Sequence, residues 1–132
     1  MPLAGKQLTI GLALALGYSV GFRGGKLTTA VAVMTAESGR YVEAWHDNVN
    51  GSQDRGLYQI NSIHDASISP QQAYKAIPNA QYAFKLSKEG TDWDPWYAYV
   101  NGAHKKYIPL ILAVKVLQLW RFKVPNVETI LG

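Results

Sequence analysis

The chain has 132 residues, 48% of them hydrophobic and 17% charged, which suits one compact core and excludes a disordered segment. The absence of cysteine excludes a disulfide framework and a thiolate metal site. A formal net charge of +4 favours anionic partners, but the cations are scattered and carry no helix-turn-helix, RNA-binding or zinc-finger signature, so nucleic acid is not an expected partner.

Lys6 and the run LTIGLALALGYSVG open the chain. A charged start and a short apolar run also describe a secretory signal, but no small-x-small cleavage site follows. The run is too short and too interrupted by glycine to span a bilayer. It reads instead as a first helix over residues 7–17, with Leu8, Leu12, Ala15 and Leu16 at helical spacing, broken by GYSVGFRGG. A second helix over 26–37 carries Leu27, Ala30, Val31 and Met34 on one face, with Gly39 placed to cap it.

Residues 41–61 read as irregular chain leading into a hairpin about Asn50-Gly51. Ser69-Pro70 suits the start of a helix over 70–77, which Pro78 interrupts before a further helix over 79–88 ending near Gly90. TDWDPWYAYVNG reads as an aromatic loop turning into helix. The last helix, 107–122, contains IPLILAVKVLQLW, apolar almost all round, and is expected to be the buried central or closing helix. No repeat or linker divides the chain. The expectation is a single domain over 1–132, mostly helical with one small β-hairpin.

The chemistry centres on two acids. Glu37 falls at the edge of the apolar face in the last turn of its helix, where lost hydration and the helix dipole both disfavour the ionised form. A raised pKa is what a general acid needs near neutral pH. Asp54 sits just past the hairpin turn, and two carboxylates flanking a bond are the usual equipment of a glycosidase. Asp47 and Glu43 are rival second carboxylates that spacing does not exclude. Gly56 implies a close backbone approach or a bulge, and Gln59 and Asn61 fit backbone capping at a strand end as well as ligand contact. Trp93, Trp96 and Tyr99, with Tyr58 next, are the aromatics suited to stacking on sugar rings. His46, His64 and His104 lack metal-ligand spacing, Gly24-Gly25 reads as an inter-helix turn, and Ser38 has no nucleophilic triad around it. No cofactor is expected.

GSQDRGLYQINS resembles the hairpin of c-type lysozymes, and Glu37-Ser38 resembles their catalytic glutamate at its helix end, with that family's spacing to Asp54. GFRGGKLTTAVAVMTAESG, GLYQIN, NAQYAFKLSKEG and WDPWYAYVNG resemble bacteriophage lysozyme-like and soluble lytic transglycosylase domains, over roughly residues 17–107. These domains cut peptidoglycan between N-acetylmuramic acid and N-acetylglucosamine. There are two departures. C-type lysozymes carry disulfides and this chain carries none, and Ala98-Tyr99-Val100-Asn101-Gly102 has Val100 where the transglycosylases have an asparagine.

The resemblance implies an α+β lysozyme-like fold, helices around a cleft, and a bacteriolytic muramidase. Glu37 would be the general acid and Asp54 the nucleophile or electrostatic stabiliser. Ser38, Tyr58, Gln59, Asn61, Trp93, Trp96, Tyr99 and Asn101 would be its substrate-binding residues, with Gln59 and Asn61 on acetamido groups. Peptidoglycan strands would be the partner, and a phage lysin or a virion component among virion proteins the setting. Two other readings stay open. One is a lytic transglycosylase that uses Glu37 alone and releases 1,6-anhydro ends; the other is a catalytically silent glycan-binding or virion structural module.

Overall fold

The computed structural model describes residues 5–123, with side-chain surroundings described through residue 118. In chain order it contains α1 (Ile10–Val20), α2 (Gly24–Ser38), β1 (Trp45–Asp47), β2 (Gln53–Arg55), β3 (Ile60–Asn61), α3 (Pro70–Ala73), α4 (Ala76–Leu86), α5 (Tyr97–Val100) and α6 (Ile108–Lys123). Short 3-10 turns precede α3 and α6. The architecture is mainly helical with a small antiparallel sheet, as expected for an α+β lysozyme-like fold.

The central helix is α2, not α6. Ala30, Val31, Ala32, Val33 and Met34 are all fully buried, because a helix of small and β-branched residues lets neighbours pack on every side. The expectation for α6 is therefore corrected. Its Ile111 is fully buried, whereas Leu110, Leu112, Val116 and Leu117 are exposed, since α6 lies against α1 and α2 along one face.

Local chemistry moves several boundaries. Thr9 caps α1, its hydroxyl accepting from the Leu12 amide, so the helix starts at Ile10. Gly17 does not break α1: a Cβ there would lie 2.6 Å from Leu27 Cδ1, so this glycine serves the α1–α2 packing and the helix runs on to Gly21. Ser69 and Gln72 form a capping box on α3, which ends at Ala73. Pro78 then lies inside the first turn of α4, where its missing N–H leaves no helical bond unmade.

The hairpin about Asn50-Gly51 is present, with Asn48 N–H bonded to Ser52 O at 2.8 Å and Gly51 at φ 87°. Residues Ile60 and Asn61 add a third strand, so the order is β1-β2-β3. In this register His46, Asp54 and Asn61 stand side by side on one face, and Trp45, Arg55 and Ile60 on the other.

Candidate active site

Glu37 owes its position to the C-terminus of α2. Gly39, at φ 62°, ends the helix and returns its N–H to Thr35 O at 2.9 Å. Ser38 is fully buried; its hydroxyl donates to Met34 O at 3.1 Å and accepts from the Arg40 amide at 3.1 Å. Ser38 therefore holds the helix end, and its place in the core does not suit the expected contact with substrate. Arg40 ties the same end to the chain before α1, donating to Leu8 O at 2.9 Å and Thr35 Oγ1 at 3.1 Å.

Burial pushes the Glu37 carboxyl up to about 7, and the negative charge of Asp54 pushes the same way. A backbone hydrogen bond from Ala98 pulls in the opposite direction without cancelling them. Glu37 thus carries its proton up to about pH 7, with an acidic neighbour close enough to affect it.

That neighbour is held by the sheet. Asn61 Nδ2 donates to Asp54 Oδ1 at 2.8 Å and to Ser52 Oγ at 3.0 Å, while its Oδ1 accepts from the Ile63 amide at 2.9 Å. The rival acids lie elsewhere. Asp47 falls on the other face of β1, where it accepts from Gln53 at 3.0 Å. That face continues through Arg55, which bonds Gln53 at 2.9 Å and pairs with Asp65 at 2.6 Å. Glu43 is exposed before β1, against Gly5.

Gln59 sits at φ 49°, and its amide N–H groups reach Ala44 O at 3.0 Å and Gly56 O at 2.9 Å. Both amides of the Gln-Ile-Asn stretch therefore support the loop and Asp54, the capping option that the sequence left open. Gly56 is obligatory: at φ 75°, any Cβ would strike Ala73 O and the Asn79 amide.

Three expected glycan contacts lie in the core. Tyr58 is fully buried, Trp93 is 5% exposed and Trp96 is 4% exposed. Their rings cluster around Phe22, and the indole N–H groups are committed to Gly90 O at 3.0 Å and Tyr58 O at 2.9 Å. Big aromatics supply most of the apolar area a small domain has to bury, which is why they are inside. The Tyr58 hydroxyl has no hydrogen-bond partner among the described residues, and burial pushes its pKa up.

Tyr99 is different: it is 37% exposed and follows Ala98, the residue that reaches Glu37. Asn101 is exposed, and its Oδ1 accepts from the Ala103 amide at 2.9 Å. Two further buried polar residues support these elements and were not read as site residues from sequence. Buried His104 stacks under Tyr99 with ring centroids 4.7 Å apart, its Nδ1 lying 3.2 Å from Ala98 O. Buried Asn79 accepts from the Tyr58 amide at 2.9 Å and donates to Arg55 O at 3.1 Å and Ala73 O at 2.8 Å. The signal for Asn79 was present, because an amide at i with Ala80 and Ala83 on the same apolar face of α4 has to be hydrogen-bonded. A lone histidine gave no comparable signal.

Comparison with protein-family models matches residues 14–98, well over half of the chain, to the family described as lysozyme like domain. A search of curated proteins returned no match.

Proposed function

The chain belongs to the family of lysozyme like domains, and on that premise we propose that it is a muramidase acting on bacterial peptidoglycan. In this reading residues 1–132 form one domain that cleaves the β-1,4 bond between N-acetylmuramic acid and N-acetylglucosamine. The observation that carries it is the pairing of Glu37, raised to about 7 by burial, with the charged Asp54.

Glu37 protonates the departing glycosidic oxygen while Asp54 stabilises or attacks the developing oxocarbenium centre. Glu37, now ionised, then takes a proton from the incoming water. Asn61 keeps Asp54 in place, and the Ala98 backbone lowers the pKa of Glu37 without cancelling the effect of burial. Tyr99 offers the exposed aromatic face for a sugar ring, and Asn101 stands beside it on the surface.

The second reading is a lytic transglycosylase, favoured by the placement of Ala98-Tyr99 at Glu37. There Glu37 serves first as acid and then as base, and the muramyl 6-hydroxyl replaces water. Mass spectrometry of soluble fragments from purified peptidoglycan separates the two. Free reducing-end muramic acid is expected. Fragments one water lighter, with 1,6-anhydro ends, mean the transglycosylase. Absence of fragments from the parent leaves a glycan-binding or structural module.

A further inference from the structure

An open pocket of about 530 Å³ lies at the opposite end of α2 from Glu37. Arg23, Lys26, Thr29, Thr91, Trp93 and Tyr99 line it together with three glycines. Two of these side chains are cationic, none is acidic, and neither cation is in a salt bridge among the described residues.

The two cations are held differently. The Arg23 guanidinium lies 3.5 Å from the centroid of the Tyr18 ring and donates to Tyr18 O and Phe22 O, which ties it back to the end of α1 and leaves Lys26 the freer cation. The Lys26 stem rests on Gly90: a Cβ at that glycine would come within 3.0 Å of Lys26 Cβ and 3.4 Å of its Cδ. Gly90 thus leaves room for the lysine chain while its ammonium stays exposed. The Thr29 hydroxyl and an aromatic wall complete a lining suited to an anionic group on an amphipathic ligand, while the Thr91 hydroxyl is committed to Lys88 O at 2.7 Å.

The pocket also connects with the proposed catalytic site. Thr29 and Glu37 are separated by eight residues of one helix, about 12 Å, and are close to one helical face. Tyr99 lines the pocket, and the preceding Ala98 reaches Glu37. A ligand running along α2 past α5 therefore meets both sites.

We propose that this pocket binds the carboxylate-bearing peptide stem that hangs from the peptidoglycan glycan strand, with Lys26 as the principal cation and Arg23 supporting it. The assignment rests on the reading of the chain as a peptidoglycan-acting domain, and it adds the peptide to the substrate. The glycan strand itself is uncharged apart from the groups that carry or replace the peptide, so an acid-free, doubly cationic pocket fits the stem better than another sugar ring.

The test is a binding titration, independent of bond cleavage. A soluble muramyl peptide with free carboxylates, and the same compound with its carboxylates amidated, are titrated into the full chain and followed by NMR. The free acid is expected to shift the amides of Lys26, Thr29 and Thr91 and the Trp93 indole. Amidation, or Lys26→Gln, weakens that binding about fivefold, the worth of one part-exposed ion pair. Lys75→Gln, outside the pocket, removes the same net charge and leaves the affinity at the parental value. Equal affinity for the acid and the amidated compound overturns the assignment, as does an equal loss in Lys26→Gln and Lys75→Gln, or shifts confined to residues around Glu37. Loss of peptidoglycan cleavage with these shifts intact counts against the muramidase reading alone.

Discussion

The two carboxylates stand on walls made by opposite chemistry. The α2 wall is built by apolar packing: five consecutive residues, Ala30 to Met34, are out of contact with water, and Glu37 is the first acid after them. The sheet wall has few buried side chains and is held by hydrogen bonds among Asn48, Asn50, Ser52 and Asn61 and from the Gln53 amide to Ser62, with Asp54 inside that lattice. An apolar wall raises a carboxyl pKa by desolvation, whereas a polar wall positions a carboxylate with amide donors. The same residue class thus meets two different environments in one site.

The largest expected effect comes from the apolar wall. Glu37→Gln lowers kcat for glycan cleavage about 10²–10⁴-fold, the usual worth of a positioned general acid. In the parent, activity falls as pH rises through about 7, where Glu37 loses its proton. The stability side has the same sign. Because the folded pKa lies above the ordinary 4.5, the parent's stability relative to Glu37→Gln is greatest below that value and declines as pH rises through about 7. Thermal melts of both proteins at pH 4 and pH 8 measure it; a constant difference would remove Glu37 from the buried position described.

Asp54→Asn tests the link between the walls. Activity drops on the order of 10²-fold if Asp54 stabilises the charged centre. Residual activity also loses its alkaline limb at lower pH than in the parent, since the charge that raises Glu37 is gone. An unmoved limb would mean that the two carboxyls do not sense each other.

The next effect concerns the joint between sheet and helices. Asn79→Ala strands the Tyr58 amide and the carbonyls of Arg55 and Ala73, at a cost of about 2–4 kcal/mol measured by urea unfolding. The smallest effect belongs to the polar wall itself. Asn61→Ala costs about 1 kcal/mol and lowers kcat, while the alkaline limb stays at its parental pH because that limb belongs to Glu37.

Much of this was legible in residue order where the controlling interaction is local. Gly39 capping α2, the Asn50-Gly51 turn and the Ser69-Pro70 start of α3 depend on backbone preferences of a few neighbouring residues, and the structure contains all three. The end-of-helix position of Glu37 followed from the same kind of reading. Residue types misled where burial was the question. Trp93, Trp96 and Tyr58 have the chemistry of sugar contacts, and IPLILAVKVLQLW has the composition of a central helix.

Sequence by itself determined the family and the mainly helical plan with its hairpin, and it singled out Glu37 and Asp54 as the candidate acids, because motifs and turn signals are short-range. Only the tertiary structure decided that α2 is the centre, that Asp47 and Asp54 face opposite ways, and that Ala98 meets Glu37. The physical reason is that burial and charge environment are set by what packs on the far side of a side chain. At Glu37 those neighbours come from β2 and α5, seventeen and sixty-one residues away along the chain.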